Sequence, residues 1–341
     1  MTSVRAQGWA LYDEIVATAA MRDVNPWIVG GDRVHFQPDY STLPRLLGVP
    51  ALLRASTQSG VPALAFDVWV SYELRRAGFD ADRVWPRPIA PRVMPAEVLQ
   101  FIQTLPKRDQ TRLHARILSK GSGGSASANL LGKNYVKQVD VVMSSWATGP
   151  ELMISTKRMD SSFGKNAANR VEESYGDAKN LRLRYPRSAL GFVYGLSSAA
   201  LTEEPDIALW LIDLLGKLGR EDDAYDAVAL VIPDLTPQQE AVLDGPEPGD
   251  VAGPLDAGAE DDSALEEQIE QDVVAAETQN LLSQLPEIGL RRDRVPPDLD
   301  PGRFFEVMCS RVLDNSPINF HREARRRRLN PQEPKEPSEG Q

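Results

Sequence analysis

Residues 135–157 read YVKQVDVVMSSWATGPELMISTK, two apolar runs separated by a short polar turn. The first run (135–144) and the second (151–156) are rich in Val, Ile and Met, which are frequent in strands and buried sheets. The intervening residues 147–150 include a Gly-Pro pair, which is typical of a turn. The sequence therefore predicts an antiparallel hairpin at the centre of the chain.

Two charged residues stand out within this hairpin. Asp140 interrupts the first apolar run, and because an unpaired carboxylate is costly to bury, it should lie at the polar side or the end of the sheet. Lys157 ends the second strand and shares a strand face with Ser155, two residues earlier. If the strands pair, Asp140 and Lys157 can meet at one end of the sheet. An ordinary cross-strand ion pair would explain the same pattern.

The segments around the hairpin alternate between helices and strands. A helix is predicted over 62–77, with Pro62 near its start and Gly78 after its end. Hydrophobic periodicity then predicts a helix over 161–181, a strand over 189–196, a helix over 205–218 and a strand within 224–235. This order indicates an α/β fold with a mixed central β-sheet flanked by helices, and with helical N-terminal and C-terminal additions.

Composition and periodicity divide the chain into five segments. They are an N-terminal helical segment at 1–61, an α/β core at 62–235 with an insert at 88–133, an acidic linker and helix at 246–290, a C-terminal helical and basic segment at 291–329, and a tail at 330–341 that we expect to be disordered. Further helices are predicted at 4–21, at 95–120 with a break near Pro106, and at 302–313.

Charge is distributed unevenly along the chain. Residues 246–290 contain twelve acids and no Lys or Arg, so the net charge of −11 comes from this segment and the rest is close to neutral. Residues 105–187 contain fifteen Lys and Arg against seven Asp and Glu. That basic window coincides with the hairpin and favours contact with a polyanion, although a solvated basic face is the alternative.

Several classes of protein are excluded. No apolar run is long enough to span a membrane, and residues 1–20 lack a signal-peptide core. The single Cys309 excludes an internal disulfide, and with three scattered histidines it also excludes a Cys/His zinc site. We therefore expect a cytoplasmic protein that does not contact membranes.

Hydrolysis of a phosphodiester needs neither Cys nor His. It needs carboxylates that hold a divalent ion, and a cation that neutralises charge developing on the phosphate. Mg²⁺ binds through one or two carboxylates and keeps several waters. Asp140 and Lys157 supply one group of each kind.

One strand carries Asp140, a turn follows, and the next strand ends in Ser155-Thr156-Lys157 before a polar helix. This arrangement resembles the PD-(D/E)xK restriction-endonuclease-like nuclease superfamily. The common pattern has an acid where Ser155 stands here. A subset of type II restriction enzymes carries Ser-x-Lys instead, and places the missing acid on the next helix. By that resemblance Glu172 would be the migrated acid, with Glu173 and Glu151 as alternatives.

The resemblance also implies an acid on the helix that precedes the sheet. Asp67 follows Phe66, as in the aromatic-acid start common in these nucleases, and Glu73 lies just under two turns later. Glu73 is the preferred choice and Asp67 stays open. The implied catalytic set is Asp140, Lys157, Glu172 and Glu73, with Mg²⁺ held by Asp140 and Glu172.

The expected function is a Mg²⁺-dependent endonuclease acting on double-stranded DNA, from a restriction or phage-defence system. A homodimer is expected, because both strands of the duplex must be cut. Since Ser155 departs from the common pattern, two alternatives stay open: a catalytically inactive DNA-binding or scaffold protein with the same fold, and a nuclease subunit of a larger defence complex.

Overall fold

Five strands form the central sheet of the computed structural model, which describes residues 3–118, 128–161, 163–243 and 278–332. Their order is β3-β6-β7-β8-β9, with β6 antiparallel to β3 and β7, and β8 parallel to β7 and β9. The bounds are Val84–Trp85 (β3), Val141–Ser145 (β6), Gly149–Met159 (β7), Ala189–Leu196 (β8) and Ala227–Val231 (β9). The predicted α/β fold with a mixed central sheet is confirmed.

Three short antiparallel pairs lie outside this sheet. They are β1 with β2 (Trp27–Gly30, Arg33–Phe36), β4 with β5 (Ala128–Leu131, Val136–Val139) and β10 with β11 (Pro233–Asp234, Gly289–Leu290). The single strand predicted over 135–144 is therefore divided. Its first part pairs with β4 and its second part with β7, so Asp140 falls between two strands rather than within one.

Eleven helices with described bounds surround the sheet. They are α1 Val4–Ala20, α2 Leu43–Leu53, α3 Val61–Arg76, α4 Ala96–Gln103, α5 Lys107–Leu118, α6 Phe163–Arg182, α7 Ala200–Glu203, α8 Pro205–Leu218, α9 Pro237–Leu243, α10 Pro301–Asn315 and α11 Arg322–Leu329. None of the helices in the described ranges is long and apolar enough to cross a membrane.

Each face of the sheet has its own hydrophobic core. Along β7, Leu152 and Ile154 point towards the core that holds α3 and α10. Met153 and Met159 point towards the core that holds α6 and α8. Successive strand residues face opposite ways, so this alternation also fixes the direction of the residues that follow. Thr156 therefore lies on the α3 face, and Ser155 and Lys157 lie on the α6 face.

The terminal additions share the core of the sheet. Buried residues of α1, α2 and α10 belong to the same cluster as Ile154 of β7. The segment 1–61 and the helix at 301–315 thus contribute directly to the α3 face. Within the acidic segment predicted at 246–290, residues 246–277 lie outside the described residues, and so do 333–341 of the predicted tail.

Candidate active site

Asp140 is held against the end of β7 by a backbone hydrogen bond. Val141 pairs with Ile154 in the β6–β7 ladder, which brings the preceding Asp140 alongside Ser155 and Thr156. The backbone N–H of Thr156 donates to Oδ2 of Asp140 at 2.8 Å. The Asp140 carboxylate is partly exposed, so it can still reach a ligand from solvent.

A second carboxylate reaches the same residue from α3. The Thr156 hydroxyl donates to Oδ1 of Asp67 at 2.6 Å, and this bond is buried. Thr156 therefore binds two carboxylates, one through its backbone N–H and one through its side chain. The geometry arises because Thr156 points to the α3 face while its N–H lies in the plane of the sheet.

The two carboxylates influence each other electrostatically. The pKa of Asp67 is raised well above its usual range, first by burial and second by the negative charge of Asp140. The hydrogen bond from Thr156 and the charges of Arg5 and Lys157 act in the opposite direction. Asp67 and Asp140 thus form an acidic pair whose ionised carboxylates repel each other. The positive charges of Arg5 and Lys157 lie near this pair.

Lys157 lies on the opposite face of β7 from Thr156, yet close enough for its charge to act on Asp67. Its side chain is partly exposed. The predicted meeting of Asp140 and Lys157 at one end of the sheet stays a prediction. Ser155, where the common motif has an acid, is buried, and its side chain hydrogen-bonds the hydroxyl oxygen of Tyr225.

The acid that α3 brings to this site is Asp67, whereas Glu73 was preferred from the sequence. Six residues along an α-helix correspond to about 240° of rotation and about 9 Å of rise, so the two side chains leave the helix in different directions. The Glu73 carboxylate is buried, accepts from the backbone N–H of Asp39 at 2.6 Å and pairs with Arg76. These contacts direct the Glu73 carboxylate towards Asp39 and Arg76 rather than towards Thr156.

The acids proposed for the second ligand position also lie elsewhere. Glu172 is exposed on α6 and makes no hydrogen bond or ion pair within the described residues; the neighbouring Glu173 is exposed as well. Glu151 begins the apolar part of β7, about 13 Å along the strand from Ser155. It is bound by His321 at 2.7 Å and by Thr148 at 2.8 Å. Glu151 is therefore bound away from Asp140, whereas Glu172 and Glu173 are exposed on α6.

A metal ion at this site would have few protein ligands. Among the described residues, no group of three or more His, Cys, Asp or Glu side chains could hold a metal ion. Mg²⁺ does not require such a group, since one or two carboxylates and several waters complete its coordination. Asp67 and Asp140 are hard oxygen donors whose mutual repulsion a cation would relieve. The donor set thus fits Mg²⁺ better than a metal that needs three or four protein ligands.

Neither Thr156 nor Arg5 was predicted from the sequence as part of the site. For Thr156 one signal was present, because it follows Leu152 and Ile154 on the core-facing side of the strand. A hydroxyl in that position needs a hydrogen-bond partner when it is buried. No comparable signal existed for Arg5, because its proximity to Asp67 depends on how α1 packs against α3.

Comparison with protein-family models, curated proteins and solved structures gives no match to this chain.

Proposed function

We propose that the protein is a Mg²⁺-dependent DNA endonuclease with a restriction-endonuclease-like core. The observation that carries this proposal is the convergence of Asp67 and Asp140 on Thr156, with the Lys157 charge close by. Two carboxylates and an ammonium group at the end of a sheet are the minimum set for hydrolysing a phosphodiester.

Each residue has a distinct role in this proposal. Asp140 and Asp67 would hold the ion, one at the solvent edge and one in the buried position. When bound, Mg²⁺ polarises the phosphate and promotes formation of the attacking hydroxide. Lys157 donates to a phosphate oxygen and neutralises the charge that builds there during the reaction. Thr156 fixes the directions of both carboxylates before the substrate arrives.

Double-stranded DNA is the proposed substrate. The basic window at 105–187 includes β7 and α6, and Arg5 adds a positive charge beside Asp67. Such charges attract the phosphate backbone irrespective of sequence. Cleavage of both strands favours a homodimer, in which each copy contributes one acidic pair.

The test is cleavage of plasmid and phage DNA with Mg²⁺ or with EDTA. Wild type should cut only with Mg²⁺, and Asp67→Asn, Asp140→Asn and Lys157→Ala should each abolish cutting while circular dichroism shows a folded protein. Lys217→Ala is the matched control, since this exposed lysine pairs with Asp213 on α8. Cutting by Lys157→Ala at the wild-type rate would overturn the proposal.

The serine at position 155 favours a second candidate, a non-catalytic DNA-binding or scaffold protein. It predicts DNA binding that weakens with salt, that does not depend on Mg²⁺ and that tolerates Asp140→Ala. A nuclease subunit of a larger defence complex would instead cut only with its partner, so copurification of a stoichiometric partner that restores cutting distinguishes it from both.

A further inference from the structure

A cavity of about 1300 Å³ is lined by the C-terminal part of α3, beyond the acidic pair along the helix. It is bordered by α1, the second half of α3, the loop at 88–92 and residues 37–40. Ligand pockets in proteins usually measure about 300–1000 Å³. This cavity therefore has room for an organic ligand, and it is far larger than a single inorganic anion needs.

Arginines dominate the charged lining of the cavity. Six of them line it, against four acids. Three of these arginines pair with lining acids: Arg92 with Asp13, Arg22 with Asp39 and Arg327 with Asp23. The complete set is Arg22, Arg75, Arg76, Arg92, Arg292 and Arg327. The lining as a whole therefore carries an excess of positive charge.

Two of the six arginines form no salt bridge with any residue in the described ranges: Arg75 and Arg292. Arg75 donates to the backbone carbonyl of Pro86 and to the Ser71 hydroxyl, and burial lowers its pKa to about 10. The charge of Asp13 acts on Arg75, and Arg292 hydrogen-bonds the Tyr40 side chain, but no salt bridge neutralises either guanidinium within the described ranges. An anion entering the cavity would therefore be attracted to both.

Aromatic rings line the same cavity and stack with arginines. The guanidinium carbon of Arg92 lies 4.0 Å from the centroid of the Trp9 ring, and that of Arg292 lies 3.9 Å from the centroid of the Tyr40 ring. Planar guanidinium groups and aromatic rings are the surfaces on which nucleobases stack. A purely apolar ligand would bring no charge to the excess of arginines, and a phosphate ion has no flat surface to pack against the rings.

We propose that this cavity binds a nucleotide, with its base stacked on the aromatic and guanidinium surfaces and its phosphate bound by Arg75 and Arg292. The amides of Asn25, Gln37 and Gln279 also line the cavity and can bond the base edge. This inference does not depend on the acidic pair being catalytic.

Two sources of the nucleotide share this chemistry. Arg75 follows Asp67 by eight residues on α3, which corresponds to about 12 Å along the helix. A nucleotide turned out of a DNA strand at the acidic pair could therefore reach the cavity, as could a free nucleotide acting as an effector. Turning a base out of a duplex costs a few kcal/mol, least at a mismatch or in a single strand.

Calorimetry on the Asp140→Asn protein with EDTA tests binding in the absence of cleavage. The probes are the four deoxynucleoside monophosphates, the matching deoxynucleosides, inorganic phosphate, a short single strand and a duplex containing a mismatch. Tighter binding of the monophosphates than of either the nucleosides or inorganic phosphate supports the free-nucleotide source. Binding of the single strand or mismatched duplex alone supports the DNA source.

Two variants locate the binding site. Arg292→Gln should weaken binding of the preferred probe about tenfold, the effect of losing about 1.4 kcal/mol. Arg291→Gln is the matched control and should bind like the parent, since Arg291 pairs with Asp293 and does not line the cavity. Tyr40→Leu should also weaken binding by removing the stacking ring.

Failure of every probe to bind at millimolar concentration would overturn the inference, and so would equal effects of Arg292→Gln and Arg291→Gln. Neither result bears on cleavage by the wild-type protein, which is measured separately with Mg²⁺. The two proposals can therefore fail independently.

Discussion

Replacing Thr156 with valine tests whether Asp67 belongs to the active site. The substitution exchanges a hydroxyl for a methyl of similar size and removes the donor that lies 2.6 Å from Oδ1 of Asp67. The bond from the backbone N–H of Thr156 to Asp140 does not involve the side chain and should persist. The change is therefore directed at one of the two carboxylates.

The expected magnitude follows from the burial of this bond. Leaving a buried acceptor without its donor costs about 1–3 kcal/mol. If all of that free energy serves to hold the Asp67 carboxylate in its reactive position, the cleavage rate falls between about fivefold and about 150-fold. Thr156→Ser keeps the hydroxyl and loses one methyl, about 0.8 kcal/mol of burial, so it should retain most of the activity.

The pH dependence gives a readout that a merely structural role would not change. The hydrogen bond from Thr156 lowers the pKa of Asp67, although burial and Asp140 raise it overall. Without that bond the pKa of Asp67 rises further. Since cleavage needs the ionised carboxylate, the acid limb of the pH–rate profile should move to higher pH in Thr156→Val.

Single-turnover cleavage at saturating Mg²⁺, measured from pH 5 to pH 9, is the assay. Thr104→Val is the control, because its hydroxyl donates only to the exposed carbonyl of Phe101. Equal rates and equal pH profiles for wild type, Thr156→Val and Thr156→Ser would refute the assignment of Asp67, whatever the stability of the variants.

Three further outcomes are expected at acids outside the pair. Burial raises the pKa of Glu73 from 4.5 to about 7, so the folded state holds this proton more tightly than the unfolded state does. The free energy of unfolding should therefore fall by up to about 3 kcal/mol as the pH rises from 4.5 to 7. Urea unfolding at pH 5 and pH 8 should show a smaller fall for Glu73→Gln than for wild type. Glu172→Gln should cut DNA at the wild-type rate in the plasmid assay, and loss of cutting would restore Glu172 as the migrated acid. Glu151→Ala breaks a buried pair with His321 and should lower the free energy of unfolding by about 3 kcal/mol. The Mg²⁺ dependence of cleavage should stay the same, and an unchanged urea unfolding midpoint would contradict the prediction.

Much of the secondary structure could be predicted because its signals are local. The strand predicted at 189–196 and the helix predicted at 205–218 have these same bounds in the structure, and the helix predicted at 62–77 spans Val61–Arg76. Apolar runs and Pro and Gly boundaries act over a few residues. The antiparallel hairpin of β6 and β7 was predicted on the same grounds, since the turn and both strands adjoin in sequence.

The choice among the acids needed the tertiary structure. Whether Asp67 or Glu73 faces the end of β7 depends on the rotation of α3 about its own axis, which is set by packing against α1, α2 and the sheet. The exposure of Glu172 likewise depends on how α6 lies on the opposite face.

The sequence by itself thus determined the succession of strands and helices along the chain, and it identified Asp140 and Lys157 as the charged residues at the hairpin. Only the tertiary structure decided which carboxylate of α3 acts on Asp140, and that Thr156 binds both. The physical reason is the separation of the residues along the sequence. Hydrogen bonds and apolar periodicity within an element extend over a few residues, whereas Thr156 and Asp67 are 89 positions apart. Such contacts depend on the packing of whole elements, and short sequence patterns do not encode them.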